Sequence, residues 1–437
     1  MTAAENLELA ALLARPALGR LLSALNGEGE ETRIVGGAVR NALLGRRIAD
    51  VDLATTAVPE VAMRRAKAAG FKAVPTGIEH GTVTIIAEGA PYEVTTLRED
   101  VETHGRRAKV RFGRDFEADA RRRDFTINAL SLTADGTVHD YVGGLADIEA
   151  RRVVFIGEPA ARIREDYLRI LRFFRFHAAY AEGPLDRAGF SAVVRERKGL
   201  AILSRERVRL EILKLLLARR AVEVVQALAD AGFAQHFLGG VVELGRFGRA
   251  AAFEHEEGGH PDPIHRLAAL TVLVEEDADR LREHLRLSNA ELARLTAYAR
   301  LLARMKSEAG PLDRSAIRRF VAEHGGDTMR DVLTATEGEP RPRLSADGLE
   351  AYRSFTTGEE KTPMFPLRGA DLLARGVPKG PEMRDRLERA RQAWLAEGCP
   401  AGRAVRLRQP RMFRQPICTA AAAGQVRRLA QPAMSRK

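Results

Sequence analysis

The stretch that decides the fold, residues 34–53, reads IVGGAVRNALLGRRIADVDL. An apolar run ends in Gly36 and Gly37, a short helical segment follows, and a second apolar run carries Asp50 and Asp52. This order predicts a strand, a glycine turn, a helix and a second strand. Adjacent glycines let backbone N–H groups approach a phosphate, and the beginning of a helix favours negative charge.

The two aspartates are spaced so that they share one face of a strand. Side chains at i and i+2 point to the same side, so Asp50 and Asp52 can face one metal position while Val51 and Leu53 point into the core. Paired carboxylates repel each other unless a cation lies between them, and oxygen-only ligands in a triphosphate reaction favour Mg²⁺. A glycine pair or a DxD pair alone is common in surface loops. Their combination around Arg40 is what indicates catalysis.

Length and composition limit the class of protein. At 437 residues the chain exceeds what one hydrophobic core serves, which predicts about two to four domains. No run approaches the roughly 20 apolar residues that a membrane span needs. The net charge of +11 favours an anionic partner such as nucleic acid, although solvated arginine-rich helices would give the same charge. Cys399 and Cys418 predict neither a disulfide framework nor a zinc site.

Strand-like and helix-like patterns alternate along residues 32–142 and predict an α/β region. The pattern predicts a helix at Pro59–Ala69, and the polar segment Asp100–Asp119 predicts a mobile loop. Glu93 lies in a further β-branched run and is a third acidic candidate; a glutamate on an exposed strand face is the alternative. The predicted strands are Ile34–Val35, Val51–Leu53, Thr82–Ala87 and Tyr92–Thr96.

A first arginine-rich segment, ARRRDFTINALSL, carries Arg122 to Asp124 and Asn128. The guanidinium of Arg123 suits triphosphate oxygens, and the Asp124 carboxylate suits a ribose hydroxyl. Asn128 could also contact the sugar. Taken alone, this triple-arginine run would be a solvated patch.

A second segment, RIREDYLRILRFFRFHAAY, carries Asp166 and three arginines at three-residue steps. Helical spacing places Asp166, Arg169 and Arg172 on one face, with Arg175 slightly round from it. Arg172 and Arg175 would reach phosphates. The alternative is an ordinary intrahelical ion pair that stabilises by tenths of a kcal/mol. Further along, Ser204 is a predicted helix N-cap.

These motifs, in this order, resemble the nucleotidyltransferase superfamily of DNA polymerase β type. The resemblance is closer to its class II branch, which contains bacterial CCA-adding enzymes and poly(A) polymerases. It covers roughly residues 30–395 and includes the strings RRDFTxNAL, EDxxR and PLRGADLLARGVPKGPEM. Two positions depart from the family pattern. Asn41 stands where the family usually has Asp, and Tyr167 where it commonly has Pro.

The resemblance implies an α+β protein, with a polymerase-β-like nucleotidyltransferase head of mixed sheet and helices, followed by an all-α neck, body and tail. The implied boundaries are an N-terminal helix within 1–30, the head at 31–157, the neck at 158–220, the tRNA-binding body and tail at 221–400, and a basic, disordered tail at 401–437. The histidines at 255, 260 and 265 are expected to face solvent, because no HD pair accompanies them.

The resemblance also implies roles for the candidate residues. Asp50 and Asp52 would hold Mg²⁺ and act in catalysis with Glu93, while Asp166 and Arg169 would pair with the Watson–Crick edge of the incoming base. The nucleotide-binding set would be Gly36, Gly37, Arg40, Arg123, Asp124, Asn128, Asp166, Arg169, Arg172 and Arg175.

The implied activity is template-independent addition of CCA to the tRNA 3′ end from CTP and ATP, with release of pyrophosphate. A poly(A) polymerase, a CC-adding or A-adding enzyme, and an inactive RNA-binding protein of the same fold are the alternatives. The N-terminus, MTAAENLELAALLARPALGR, predicts an amphipathic helix ended by Pro16. It lacks the pattern of a signal peptide, so cytoplasm is the expected compartment. Both a monomer and a homodimer are compatible with the sequence.

Overall fold

The computed structural model describes residues 6–100, 110–256 and 261–400. It opens with two helices, α1 (Leu7–Leu13) and α2 (Pro16–Leu25). The sequence predicts one helix ended by Pro16, and this is wrong in one respect. Pro16 is the first residue of α2, where its missing N–H removes no hydrogen bond and its fixed φ suits the helix.

A mixed seven-stranded sheet forms the head, in the order β3-β4-β5-β2-β1-β8-β9. Only β2 and β5 pair in parallel; the other neighbours are antiparallel. A separate two-stranded sheet joins β6 to β7. The strands are β1 (Thr32–Val35), β2 (Asp52–Thr55), β3 (Lys72–Gly77), β4 (Thr82–Ala87), β5 (Ala90–Thr96), β6 (Arg98–Asp100), β7 (Val110–Phe112), β8 (Ser131–Leu132) and β9 (Val138–His139).

The predicted strands and the helix between them are confirmed to within a few residues. Strand β3 was not predicted, because Pro75 interrupts its pattern; the structure places β3 at the sheet edge, where proline is tolerated. The segment predicted as a loop contains β7 and the beginning of α5, while residues 101–109 lie outside the described ranges. The head helices are α3 (Gly37–Leu43), α4 (Pro59–Ala68), α5 (Phe116–Arg121) and α6 (Gly144–Glu149).

The remainder of the described chain is helical, as predicted. It comprises α7 (Pro159–Glu165), α8 (Arg169–Tyr180), α9 (Arg187–Arg195), α10 (Arg205–Leu216), α11 (Ala221–Asp230), α12 (Phe233–Leu238), α13 (Leu244–Glu256), α14 (Pro263–Thr271), α15 (Glu275–Leu285), α16 (Asn289–Ser307), α17 (Arg314–His324), α18 (Gly326–Thr336), α19 (Ala346–Thr356), α20 (Gly369–Leu373) and α21 (Pro381–Ala396). None of the helices in the described ranges has the length and apolar character needed to cross a membrane.

The described chain forms two compact units. One contains residues up to Arg304 together with Asp331–Gly338, and the other contains Met305–Arg330 together with the residues from Glu339. In the second unit Trp394, Leu395 and Cys399 form a small buried cluster. Cys399 forms no disulfide within the described residues, and its Sγ donates to Arg318 O at 3.7 Å. Cys418 and the rest of the predicted basic tail at 401–437 lie outside the described residues.

One of the histidine predictions is wrong. His265 lies within α14 and is buried, with its Nδ1 2.9 Å from Glu254 Oε1 and its Nε2 3.1 Å from the hydroxyl of Thr334. These buried partners satisfy the imidazole where the sequence shows only a loop rich in glycine and proline. His260 and the side chain of His255 lie outside the described part.

Candidate active site

A cleft with a volume of about 480 Å³ opens in the first unit, between the head sheet and the helices that follow the head. Its lining combines backbone next to two glycines, a group of arginines and three aspartates. The lining residues are Gly36, Gly37, Arg40, Asp52, Arg122, Arg123, Asp124, Asn128, Asp166, Arg169, Arg172 and Phe176.

The glycine turn between β1 and α3 forms one wall of the cleft. Gly36 has φ +66°, a conformation that L side chains rarely adopt, and its N–H donates to Leu130 O at 3.0 Å. A Cβ at Gly36 would lie 2.8 Å from Arg123 Nη1. Glycine is therefore needed here both for the backbone conformation and for the close approach of the arginine.

The acidic candidates lie at the beginning of β2, just before it, and in the middle of the neighbouring strand β5. Asp52 begins β2 and pairs in register with Glu93 of β5, and Asp50 lies two residues before it. Much of Asp52 remains accessible, yet the surrounding protein desolvates its carboxylate. This desolvation and the negative charges of Glu93 and Asp50 raise the pKa of Asp52, and Arg123 acts in the opposite direction.

The donor set fits a hard divalent cation that is shared with a ligand. None of these three carboxylates accepts a hydrogen bond or forms an ion pair within the described residues. In the same part of the chain no group of three or more His, Cys, Asp or Glu side chains is arranged to hold a metal ion by itself. Mg²⁺ commonly binds through one or two carboxylates, with waters and substrate phosphates completing its octahedron. Asp50 and Asp52 could supply that number.

Two of the cleft arginines are held by one buried aspartate. The Asp115 side chain caps α5, accepting from Glu117 N at 2.8 Å, and α5 places Asp119 one turn before the arginines. Arg122 and Arg123 contact separate oxygens of Asp119; Arg123 Nη2 lies 3.1 Å from Oδ2. Burial raises the pKa of Asp119, but these two guanidinium groups more than offset it and the pKa is lowered.

Asp124 orients Arg172. Arg172 Nε and Nη2 lie 2.7 and 2.6 Å from Asp124 Oδ2, while Oδ1 accepts from Phe125 N at 2.8 Å and Asn128 Nδ2 at 2.9 Å. Burial raises the pKa of this carboxyl, yet Arg172 and the hydrogen bonds lower it below its ordinary value. Oδ1 of Asp124 therefore accepts two hydrogen bonds, and Oδ2 accepts one and contacts a second guanidinium nitrogen, so both oxygens are already engaged.

Asp166 and Arg169 lie on either side of a break between two helices. The prediction of one continuous helical face is wrong, because α7 ends at Glu165, Asp166 is extended (φ −154°, ψ 104°) and α8 begins at Arg169. Both side chains nevertheless line the cleft that contains Asp52. Asp166 Oδ2 accepts from Arg207 Nη2 at 2.7 Å, and its Oδ1 accepts from Leu168 N at 3.1 Å.

Arg169 is fixed by its neighbours but keeps donors available. Its Nη1 donates to Arg162 O at 2.9 Å and to Glu165 Oε2 at 2.6 Å, and its Nη2 donates to Arg122 O at 3.2 Å. These contacts use three of the five N–H groups of a guanidinium. Within the described chain, the two remaining donors of Arg169 are not engaged.

Most predicted site residues lie together in the cleft, but three do not line it: Asp50, Glu93 and Arg175. Arg175 turns to the buried Glu211 of α10, which also lies 3.7 Å from Arg172 Nη1. The predicted cap at Ser204, which begins α10, is confirmed by its hydroxyl accepting from Arg207 N.

The prediction missed two lining residues, Arg122 and Phe176. Arg122 was visible as a member of the arginine run. Phe176 lies four residues after Arg172, and this helical spacing was the available signal. The ring of Phe176 lies 5.0 Å from the Arg172 guanidinium and 5.2 Å from that of Arg40, so it supports two cations of the cleft.

Two family models match the chain. The first is described as "Poly A polymerase head domain" and matches residues 32–154. The second is described as "Probable RNA and SrmB- binding site of polymerase A" and matches residues 185–243. Together they cover the head and part of the helical region that follows it.

Curated relatives extend the similarity over most of the chain. A mitochondrial CCA tRNA nucleotidyltransferase 1 of Mus musculus is 34% identical over 371 residues, which is 84% of this chain and 83% of the relative. A CCA-adding enzyme of Geobacillus thermodenitrificans is 42% identical over 245 residues, which is 54% of this chain and 57% of the relative.

Solved structures share the fold. The Bacillus stearothermophilus CCA-adding enzyme in complex with CTP is 27% identical with a TM-score of 0.65, over 87% of this chain and 92% of that one. An apo form of a CCA-adding enzyme has a TM-score of 0.70 at 19% identity, over 93% of this chain and 97% of that one, and it supports the fold alone.

Proposed function

Because the chain belongs to the family of CCA-adding enzymes, within the poly(A) polymerase group, we propose that it adds CCA to the 3′ end of tRNA from CTP and ATP and releases pyrophosphate. One observation carries the residue-level proposal. Asp52, the glycine turn, the arginine group and the Asp166–Arg169 pair all line a single cleft. Groups suited to phosphates and groups suited to a base edge are thus within reach of one nucleotide.

The triphosphate binds along the glycine turn. Arg123 is anchored at one side by Asp119 Oδ2 and at the other by the Asn128 carbonyl at 3.2 Å, so two of its N–H groups remain for phosphate oxygens. Arg40 and Arg172 add positive charge to the same cleft. The ribose contact predicted for Asp124 stays a prediction, and since its oxygens already hold Arg172, Asn128 and Phe125 N, its main part is to orient these groups.

Asp50 and Asp52 would hold the metal ion. Enzymes of this family are generally metal-dependent, and the oxygen-only donors favour Mg²⁺ among the available ions. When bound, Mg²⁺ supplies Lewis-acid chemistry, because it neutralises charge on the triphosphate and lowers the pKa of the tRNA 3′-hydroxyl. Glu93, opposite Asp52 on the parallel strand, adds negative charge that favours cation binding at this edge.

The cleft residues align the two reactants. The tRNA 3′-hydroxyl gives up its proton to solvent, and its oxygen forms a bond to the α-phosphorus in line with the breaking bond to pyrophosphate, which leaves with the electron pair of that bond. Arg123 and Arg172 stabilise the charge on the phosphoryl oxygens and the leaving group. Catalysis of this kind depends on positioning and charge stabilisation, which the anchored arginines provide without reorganisation.

Asp166 and Arg169 select the base. A carboxylate accepts from the exocyclic amino group of cytosine or adenine, and the two unused donors of Arg169 match the N3 and O2 acceptors of cytosine or N1 of adenine. Uracil and guanine present a carbonyl where the amino group is required, so they leave Asp166 facing an acceptor. Arg207 fixes one oxygen of Asp166 and thereby sets the orientation of the carboxylate.

Incubation of the protein with tRNA that lacks its CCA end tests the function. We expect CTP alone to add two nucleotides, CTP with ATP to add three, and ATP alone to add none to this substrate. A long ladder with ATP would identify a poly(A) polymerase instead, and an arrest after C addition would identify a CC-adding enzyme. Absence of any addition, with retained tRNA binding, would support an inactive RNA-binding protein.

The domain limits are a head at 31–157, a neck at 158–220, and a helical body and tail at 221–400 that bind tRNA.

The cytoplasmic location also stays a prediction, because the relatives include mitochondrial enzymes. The basic segment 401–437 adds nine lysines or arginines and no acidic residue, which suits non-specific contact with RNA.

Replacing Gly36 by alanine should weaken nucleotide binding beyond the effect of backbone strain. Gly36 has φ +66° and ψ −118°, outside the left-handed helical region, and a rare backbone conformation of this kind costs an L residue about 1–3 kcal/mol. The new Cβ would also displace Arg123 Nη1. We expect a lower melting temperature and a KM for CTP raised by about tenfold, measured by steady-state kinetics.

Gly45→Ala is the matched control, since Gly45 has φ +62° but nothing within 4 Å of a Cβ. It should lower the melting temperature through backbone strain and leave the KM for CTP unchanged. Equal changes in KM for the two variants would contradict the proposed contact between the turn, Arg123 and the triphosphate.

A further inference from the structure

Arg40 differs from the other arginines of the cleft in the charge of its partners. Arg122 and Arg123 contact Asp119, Arg169 contacts Glu165, and Arg172 contacts Asp124. Among the described residues, no carboxylate lies within ion-pair distance of Arg40. In that part of the chain, Arg40 therefore lacks a counter-ion in direct contact.

Neutral oxygens surround the Arg40 guanidinium instead. Asn41 Oδ1 accepts from Nε at 3.1 Å and from Nη2 at 2.8 Å, Tyr180 OH lies 2.8 Å from Nη2, and Asn128 Oδ1 accepts from Nη1. The Tyr180 ring also lies 4.0 Å from the guanidinium carbon. Asn41 is itself fixed, because its Nδ2 donates to Arg47 O at 3.1 Å.

This arrangement keeps a positive charge buried. Arg40 is only 6% exposed. Burial and the positive charges of Arg175 and Arg46 lower its pKa to about 10, while Tyr180 and, from beyond ion-pair distance, Asp124 act in the opposite direction. The group therefore stays protonated at neutral pH. A buried, hydrogen-bonded charge that has no counter-ion is unfavourable until an anion arrives. Nη2 lies 3.7 Å from the position of a Cβ on Gly37, so the positive charge is next to the glycine turn. Four of the five N–H groups of Arg40 already donate to these neutral oxygens, and the second N–H of Nη1 remains for the anion.

We propose that Asn41 and Tyr180 are positioning residues that hold Arg40 by neutral hydrogen bonds, so that the polyphosphate of the incoming nucleotide becomes its counter-ion. This inference rests on the proposed function. Because Asn41 supplies an amide oxygen and no carboxylate, the charge of Arg40 remains available to the ligand. Tyr180 lies at the end of α8, the helix that begins with Arg169, and so joins the phosphate wall to the base-selecting helix.

Asn41→Asp tests the charge. An aspartate in the same place would form a charge-assisted, two-point contact with Nε and Nη2 of Arg40 and neutralise it. We expect the KM for CTP and the inhibition constant of inorganic tripolyphosphate, measured against CTP, each to rise by about tenfold. The inhibition constant of cytidine, which carries no phosphate, should change by less than about twofold.

Tyr180→Phe tests the geometry. It removes the hydroxyl acceptor and keeps the ring, so we expect a rise of about threefold to tenfold in the KM for CTP and in the tripolyphosphate constant, which corresponds to one hydrogen bond. Asn289→Asp is the matched control. Asn289 also accepts from an arginine, Arg282, but on the exposed surface of another helix, and it should change neither constant.

Two results would overturn the inference: an unchanged tripolyphosphate constant in Asn41→Asp, or an equal weakening of cytidine and tripolyphosphate. If Asn41→Asp fails to fold, an unchanged constant in Tyr180→Phe overturns it instead. Failure of the proposed function is separate, because the unsubstituted protein would then add no nucleotide to tRNA. CCA addition by the unsubstituted protein together with unchanged constants in the variants would remove the inference and leave the function intact.

Discussion

Asp52→Ala should reduce CCA addition by about a thousandfold or more, because loss of metal-assisted charge stabilisation costs several kcal/mol of the activation free energy. Asp52 is the acidic candidate that lines the cleft, and the negative charges of Glu93 and Asp50 beside it are what a cation would offset. Single-turnover incorporation of CMP into tRNA lacking its end, at saturating CTP, measures the effect.

Binding of tRNA should remain within about twofold of the unsubstituted protein, since Asp52 would contribute no favourable contact to an RNA phosphate. A filter-binding titration at fixed salt checks this. Asp279→Ala is the control, because Asp279 is an exposed carboxylate on α15 outside the cleft lining. Incorporation by Asp52→Ala at more than a tenth of the rate of the control would exclude a catalytic role for this carboxylate.

Asp166→Asn is expected to relax base selection. The substitution keeps one acceptor oxygen and replaces the other by an NH₂ donor, which can pair with the O4 carbonyl of uracil. We expect the ratio of kcat/KM for CTP to that for UTP to fall by about 10- to 100-fold, the effect of one mismatched polar contact in a closed site. Competition between the two nucleotides in one reaction measures this ratio directly.

Asp230→Asn is the matched control for this change. Asp230 accepts from Gln226 at 2.7 Å on the exposed surface of α11, so the same chemical change is made away from the cleft. Its ratio should equal that of the unsubstituted protein. In Asp166→Asn, an equal loss of kcat/KM for CTP and UTP, with an unchanged ratio, would contradict base selection by Asp166. The role of Asp166 would then be to stabilise the helix break through its contacts with Arg207 and Leu168.

Much of the head could be predicted from local patterns. The β-branched runs at β1, β2, β4 and β5 and the glycine turn produce their structure through neighbouring residues, so their position in the chain is sufficient. Strand β3 was not predicted, because a proline interrupts its pattern. Its place at the sheet edge explains why a strand with this proline is tolerated. The break in the helix at Asp166 was not predicted, because the spacing of the charged residues in the sequence is helical on both sides of it. The extended backbone of Asp166 ends the helix.

The predicted roles of individual arginines depend on partners that lie far away in sequence. Arg175 has the same spacing from Arg172 as Arg172 has from Arg169, yet Glu211 of α10 draws it away from the cleft lining. His265 stands in a loop-like sequence, yet Glu254 and Thr334 bury and satisfy it. No local pattern contains these contacts, because the partners come from other helices.

By itself the sequence determined the type of chemistry: a glycine turn, a pair of aspartates, an arginine run and an acidic–arginine motif are properties of short segments. Only the tertiary structure decided which of these groups share a cleft and which charges are already neutralised. The parallel pairing of β2 with β5 places Asp52 beside Glu93, and packing around α8 gives Arg40 neutral partners from two distant segments. The physical reason is that electrostatic interactions and burial depend on distance in space, which a linear chain does not specify until it folds.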